Sequence, residues 1–274
     1  TFKISSIFDS RFAEFNNSVV FINLKDLQGL FDLKKGNNFL EIYLHKPDKI
    51  EIYREKLREW MNDYVEKDKF NGCSLSIADT DGNTVLDIAS GFNDKEKTKE
   101  FNSRSIVRIF SMTKAVVSAC LLQLLHERNI GLDETLDHYF DNYSDCFALV
   151  ENAKNVTEIE KTKAPSIYQL LNHTSGLSYF FNDDLIAKEY LKRNLTTAPG
   201  NHDLAIFSEK VTSLPLCFEA GTRWNYSVGI DLAGRLIEII SGVSLDIYLS
   251  KFLFDELKMD DTGFFLPTGQ SDRF

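Results

Sequence analysis

Ser111 and Lys114 stand three residues apart at the front of "FSMTKAVVSACLLQLL". On a helix, that spacing puts a hydroxyl and an amine on one face, about one turn apart. Ser111 would lie at the N-terminal end, where unpaired N–H groups and the positive end of the macrodipole favour developing negative charge. The same field, with partial burial, disfavours the ammonium form of Lys114 and lowers its pKa. A neutral amine within reach of a serine hydroxyl is a competent general base, so the pair reads as a nucleophile and its activator. The plain alternative is a capping serine followed by a solvated lysine. The residues after Lys114 weigh against that alternative. Val116, Val117, Leu121, Leu122, Leu124 and Leu125 leave the helix little polar face. Such a helix is buried on most sides and holds both side chains on a rigid element.

The elements around this helix can be read from periodicity and turn residues. From Ile50 to about Lys67 the spacing predicts a helix with Ile52, Leu57, Trp60, Met61 and Tyr64 on its apolar side. "CSLSIADTDGNTVLDIASG" predicts two strands joined at residues 79–83. The serine helix should run to about Arg128 and stop at Asn129-Ile130-Gly131. Residues 141–164 are polar and read as loop-rich. "SIYQLLNHTSGLSYFF" returns to a short helix with a turn at Ser175-Gly176, and from Trp224 two helices are separated by Ser241-Gly242. A lead segment, residues 1–47, closes near Pro47 and contains two strand-like runs, "VVFINL" and "FLEIYLH", with no assignable role. Residues 48–274 would form the main domain. The pattern predicts an α/β (α+β) fold, an antiparallel sheet flanked by helices beside a helical subdomain.

Composition narrows the partners. A formal net charge of -10 over 274 residues argues against nucleic acid or an anionic membrane surface. No uninterrupted apolar run is long enough to span a bilayer. No basic and apolar leader opens the chain at Thr1, so a targeting peptide is expected to be absent or removed, and the protein soluble. Cys73, Cys120, Cys146 and Cys217 form no C-x-x-C pair, which disfavours a zinc ribbon or thioredoxin-like site and leaves the redox compartment open. His126, His138 and His202 have no metal-ligand spacing, so no metal is expected, and a serine nucleophile with a lysine base implies no cofactor.

The stretch "SMTKAVVSACLLQLLHERNIGLDETLDHYF" resembles the active-site helix of serine β-lactamases and penicillin-recognising enzymes, most of all the class C-like branch with its esterases and transesterases. "LLNHTSGL" at 170–177, "FEAGTRWNYSVGIDLAGRLIE" at 218–238 and "LFDELKMDDTGF" at 253–264 resemble three further motifs of that branch, in order. The resemblance covers roughly residues 50–266. It implies a β-lactamase/transpeptidase-like fold, with Ser111 acylated, Lys114 as its base partner and Tyr226 passing a proton to the leaving group. It gives His173 a structural role, its ring bonding backbone around Gly176, in place of a triad role.

Two departures from the family pattern shape the functional expectation. The residue two after the tyrosine is often Asn in enzymes that bind a substrate amide. Here it is Val228, which can neither donate nor accept a hydrogen bond. Ala220-Gly221 replaces the more frequent Pro-Gly, a smaller change. The family's third motif, on a strand lining the site, is not found before Phe274, and "LPTGQ" at 266–270 reads as loop. The domain is therefore expected to lack its C-terminal part, with residues beyond Phe274 or another chain completing it. The leading expectation is a serine hydrolase acting through an acyl-enzyme on a small-molecule ester or amide, as an esterase or transacylase. The alternatives are a β-lactamase or DD-peptidase, and a non-catalytic scaffold of the same fold.

Overall fold

The computed structural model describes residues 50–78, 81–196 and 203–274. The lead segment with its two strand-like runs, Asp79 and Thr80 of the expected turn, and His202 lie outside the described residues. The chain divides into two compact units: one runs to Ile106 and includes Gly269–Phe274, the other is Val107–Thr268.

In the first unit, helix α1 (Ile50–Glu66) precedes strands β1 (Gly72–Ala78) and β2 (Thr84–Gly91). The strands pair antiparallel, with Gly72 opposite Gly91 and Leu75 opposite Ile88. Helix α1 sets Met61 against Ile77, Leu86 and Ile88, with Leu57 packed at the margin. Trp60 departs from expectation. It is 44% exposed, and Val65 takes the inward position instead. The indole finds cover one turn on, 4.7 Å from the Tyr64 ring. The C-terminal residues return to this unit, where the Arg273 carbonyl accepts from the Ile106 N–H at 2.7 Å and Arg273 Nε donates to the Arg104 carbonyl at 2.8 Å.

The second unit starts with a 3-10 turn (Phe110–Met112) that runs into helix α2 (Thr113–Arg128). Strands β3 (Phe147–Leu149) and β4 (Ile159–Lys161) follow, then helices α3 (Ile167–Leu171), α4 (Leu185–Lys192), α5 (Leu204–Thr212), α6 (Gly229–Ser241) and α7 (Leu245–Leu249). Both sheets among the described residues are antiparallel and two-stranded, in keeping with the mixed content expected from the sequence. The β3–β4 pair occupies part of the stretch read as loop.

Helix α2 buries Val117, Cys120, Leu121, Leu124 and Leu125. Leu122 is 45% exposed, so the helix keeps one open side and is less enclosed than its composition predicts. Each fully buried leucine stabilises the unit by roughly 1.5–3 kcal/mol relative to exposure. Asn129 ends the helix in a left-handed conformation, φ 55, its N–H turned back to the His126 and Leu125 carbonyls. Helix α6 is the hub: α2, α3, α5 and α7 all pack on it. Its first residue has to be glycine, because a Cβ on Gly229 would lie 2.8 Å from the Leu170 carbonyl oxygen. That close approach fixes the start of α6, and with it the loop carrying Tyr226, against α3.

Candidate active site

Ser111 sits exposed in the 3-10 turn, one residue ahead of Met112, and Lys114 follows on the first turn of α2. The helix therefore begins two residues later than expected. The tightened turn leaves the pair on one face, with Lys114 Nζ 3.4 Å from Ser111 Oγ. Phe110, immediately before the serine, has φ 44 and is 73% exposed. For a bulky aromatic this is a strained backbone, costing on the order of 1–3 kcal/mol, and the surrounding turn must impose it.

Tyr226 reaches the same point from the other end of the unit. Its hydroxyl donates to Ser111 Oγ at 2.8 Å. The loop that delivers it is bonded along its length to residues 173–182. Asn225 donates from its N–H to the His173 carbonyl at 2.9 Å and from Nδ2 to the Leu177 carbonyl at 3.0 Å. Asn182 Nδ2 donates to the Tyr226 carbonyl at 2.9 Å, and the Val228 N–H donates to the Ser178 carbonyl at 3.0 Å. The turn between these strings depends on Gly176, at φ 81, where a Cβ would come 2.4 Å from the Phe218 carbonyl oxygen.

Aromatic rings hold the phenol and the amine in place. Tyr179 stacks on Tyr226 at 5.5 Å with 10° between planes, and Phe181 stacks on Tyr179 at 4.5 Å. Lys114 Nζ lies 5.0 Å from the Tyr226 ring centre and 5.2 Å from that of Tyr179. Burial, then the negative charge of Asp231, raises the Tyr179 hydroxyl far above its ordinary range, so it stays a neutral wall.

His173 is part of this support, with a different partner from the one expected. Its Nδ1 accepts from the Ser227 N–H at 3.3 Å, and not from backbone around Gly176. Its ring lies 4.7 Å from that of Tyr226. Burial first, and then the Lys114 charge, lower the His173 pKa, so the imidazole is held neutral. Val228 turns away from this surface and is buried in the core.

A cavity of about 860 Å³ opens beside the serine. Ser111 and Lys114 lie on its wall with Phe110, Tyr179, Phe181 and Asp231. Asp231 had no signal of its own in the sequence, because an acid on the first turn of a helix is ordinary. It is half-buried on the first turn of α6 and lines the cavity. Burial pushes its carboxyl pKa up, partly offset by Lys114. Tyr179 and Phe181 could have been noticed as the aromatic run "SYFF" directly after the "HTSGL" turn.

The cysteines stay apart from this chemistry. All four are free, and burial pushes the Cys146 thiol up to about 11. Among the described residues no group of three His, Cys, Asp or Glu could hold a metal ion, and no helix is long and apolar enough to cross a membrane.

A family model described as Beta-lactamase matches residues 57–274. The chain belongs to the β-lactamase family. Lovastatin esterase of Penicillium rubens is 27% identical over 215 residues, covering 76% of this chain and 52% of the esterase. Monacolin J acid methylbutanoyltransferase of Aspergillus terreus is 30% identical over 159 residues, 57% of this chain and 37% of the transferase. Among solved structures, EstCE1, a hydrolase with promiscuous acyltransferase activity, superposes with a TM-score of 0.62 at 20% identity, over 74% of this chain and 51% of that one. The fold is thus of the β-lactamase/transpeptidase type. The chain spans about half, or less, of the length of these relatives. The comparisons give no support to a further chain completing the domain.

Proposed function

We propose that this member of the β-lactamase family is a serine hydrolase that works through an acyl-enzyme, as an esterase or transacylase for small-molecule esters with an apolar body. One observation carries the reading: an amine from α2 and a phenol from a loop 115 residues beyond the serine meet on the same serine oxygen. Nothing local forces that meeting, and a structural packing role would not need three polar groups at the edge of a cavity.

In this reading Lys114, as the neutral amine, takes the Ser111 proton while Oγ bonds to the substrate carbonyl carbon. The carbonyl electrons move onto oxygen, and in this reading the Ser111 N–H at the front of the turn serves as one donor to that oxyanion. The oxyanion then collapses and the bond to the leaving oxygen breaks. Tyr226 gives that oxygen its proton and is reprotonated from Lys114, so the alcohol departs neutral. Water or an acceptor alcohol next attacks the acyl-serine, the same groups carrying its proton back to Ser111 Oγ.

The separation of 3.4 Å at Lys114 is long for proton transfer, as is usual before substrate tightens a site. Aromatic walls favour an apolar acyl or alcohol group. The esterase reading is preferred to β-lactamase or DD-peptidase because Val228 is buried and offers no group to a substrate amide. Val228, and the third motif not found before Phe274, are what a scaffold without turnover would share; the meeting of Lys114 and Tyr226 on Ser111 weighs against it. Hydrolysis of p-nitrophenyl butyrate by the full chain, abolished in Ser111→Ala, is the expected result. Equal rates for the two proteins would overturn the reading.

A further inference from the structure

The acyl-enzyme chemistry leaves one ionisable group of the cavity unused. We infer that Asp231 is the recognition point for a cationic group, an ammonium or quaternary ammonium, on the ester that Ser111 attacks. The inference rests on the serine-hydrolase reading and adds the charge of the substrate to it.

The other carboxylates lining this cavity are already committed. Asp203 caps α5, accepting from the Ile206 N–H at 2.8 Å. Glu238 accepts from Arg235 at 2.9 Å and from the Leu245 N–H at 3.0 Å. Asp246 is held by the Ser244 side chain. Asp231 differs. Among the described residues its carboxylate receives no hydrogen bond except from its own N–H, and its attractive charge partner is Lys114. It nevertheless lines the same cavity as Ser111 and Lys114.

A half-buried carboxylate with no donor beyond its own N–H is costly to hold charged unless a positive charge stands near it. Lys114 meets that need only as an ammonium, and the proposed reaction requires it as an amine. At that stage Asp231 has no counter-charge of its own. A cation carried by the substrate supplies one. The surroundings suit such a group, since Tyr179 and Phe181 line the same cavity and aromatic rings attract ammonium ions, as the Tyr179 ring already does Lys114 Nζ at 5.2 Å. The competing role for Asp231, an acid complementing the N-terminal dipole of α6, predicts no dependence on substrate charge.

The test uses two matched pairs of esters with the full chain. In one pair the acyl chain of a p-nitrophenyl ester ends in trimethylammonium or in the isosteric tert-butyl group. In the other, the same two groups end the thiol side of a thioacetate. For at least one pair, wild type should favour the cationic member in kcat/KM by about tenfold or more, the range expected for a charge-assisted contact in a partly desolvated site. Asp231→Asn should bring that ratio to near one, and Asp231→Glu should keep part of it. Asp231→Asn should also raise Tm at pH 7, because it removes a carboxylate whose charged form burial disfavours, and this shows that the variant is folded. A ratio near one in wild type for both pairs would overturn the proposal, as would a preference that survives Asp231→Asn. A fluorophosphonate adduct on Ser111 in the same preparation would show that the hydrolase reading still stands in that case. Its absence, with all four esters left intact, would end both.

Discussion

The Tyr226 hydroxyl donates to Ser111 Oγ at 2.8 Å while its ring takes Lys114 Nζ at 5.0 Å, so one side chain touches both the hydroxyl and the amine. The phenol is therefore placed to act on a proton, and its ring to place the lysine. Replacing Tyr226 with Phe separates these duties. The ring stack persists and the hydroxyl is lost. kcat for an activated ester should fall about 10²-fold or more, with KM changing little. Loss of one partly exposed hydrogen bond should cost about 1 kcal/mol of stability, visible as a small Tm shift. Wild-type kcat in Tyr226→Phe would remove the tyrosine from the mechanism.

Lys114→Arg keeps the positive charge and removes the amine that the proposed reaction uses as its base. Acylation should slow by about 10² to 10⁴-fold, with circular dichroism unchanged. A lysine with only a structural task would tolerate arginine, and rates within twofold or threefold of wild type would show that.

His173 links the site to pH. Burial holds its pKa below the ordinary 6.5. The unfolded chain therefore takes up a proton at a higher pH than the folded protein does. The stability this contributes is complete above the unfolded value and is lost as pH falls through 6.5 toward the folded pKa. Protonation also ends the acceptance of the Ser227 N–H by Nδ1. Tm measured from pH 8 to pH 5 should drop more steeply for wild type than for His173→Asn. Asn suits the left-handed backbone at this position, φ 61, and does not titrate. Parallel curves for the two proteins would show that His173 does not couple to folding.

The two halves of the site differ in how far they could be read from residues alone. Ser111 and Lys114 are legible because a hydroxyl and an amine stand three residues apart at the front of an apolar helix; a capping serine and a solvated lysine share that spacing, and the further motifs decide between the two. Tyr226 is legible only through its motif, since no periodicity predicts contact across so many residues. Asp231 leaves no trace, because its meaning comes from facing the cavity, which is a property of packing. Trp60 fails for a related reason: helical spacing places it among the apolar positions, and only packing decides that Met61 and Val65, one turn apart, are buried while the indole is left 44% exposed. The β3–β4 pair consists of three-residue strands, too short for an alternation to register.

Gly229→Ala tests how the tyrosine loop is anchored. The added methyl would meet the Leu170 carbonyl oxygen at 2.8 Å, and backbone cannot swing aside as a side chain can. Overpacking of this kind costs about 1–3 kcal/mol. Thermal unfolding should show the loss, and esterase activity should fall with it because α6 and the Tyr226 loop move together. Unchanged Tm and activity would mean that α3 and α6 can part without consequence.

The most direct measurement is intact mass of the full chain after exposure to a fluorophosphonate, followed by peptide mapping. The acyl-enzyme account predicts one adduct per chain, on Ser111, absent from Ser111→Ala and formed far more slowly in Lys114→Arg. No adduct on the folded wild-type protein, or an adduct on a different residue, would contradict it.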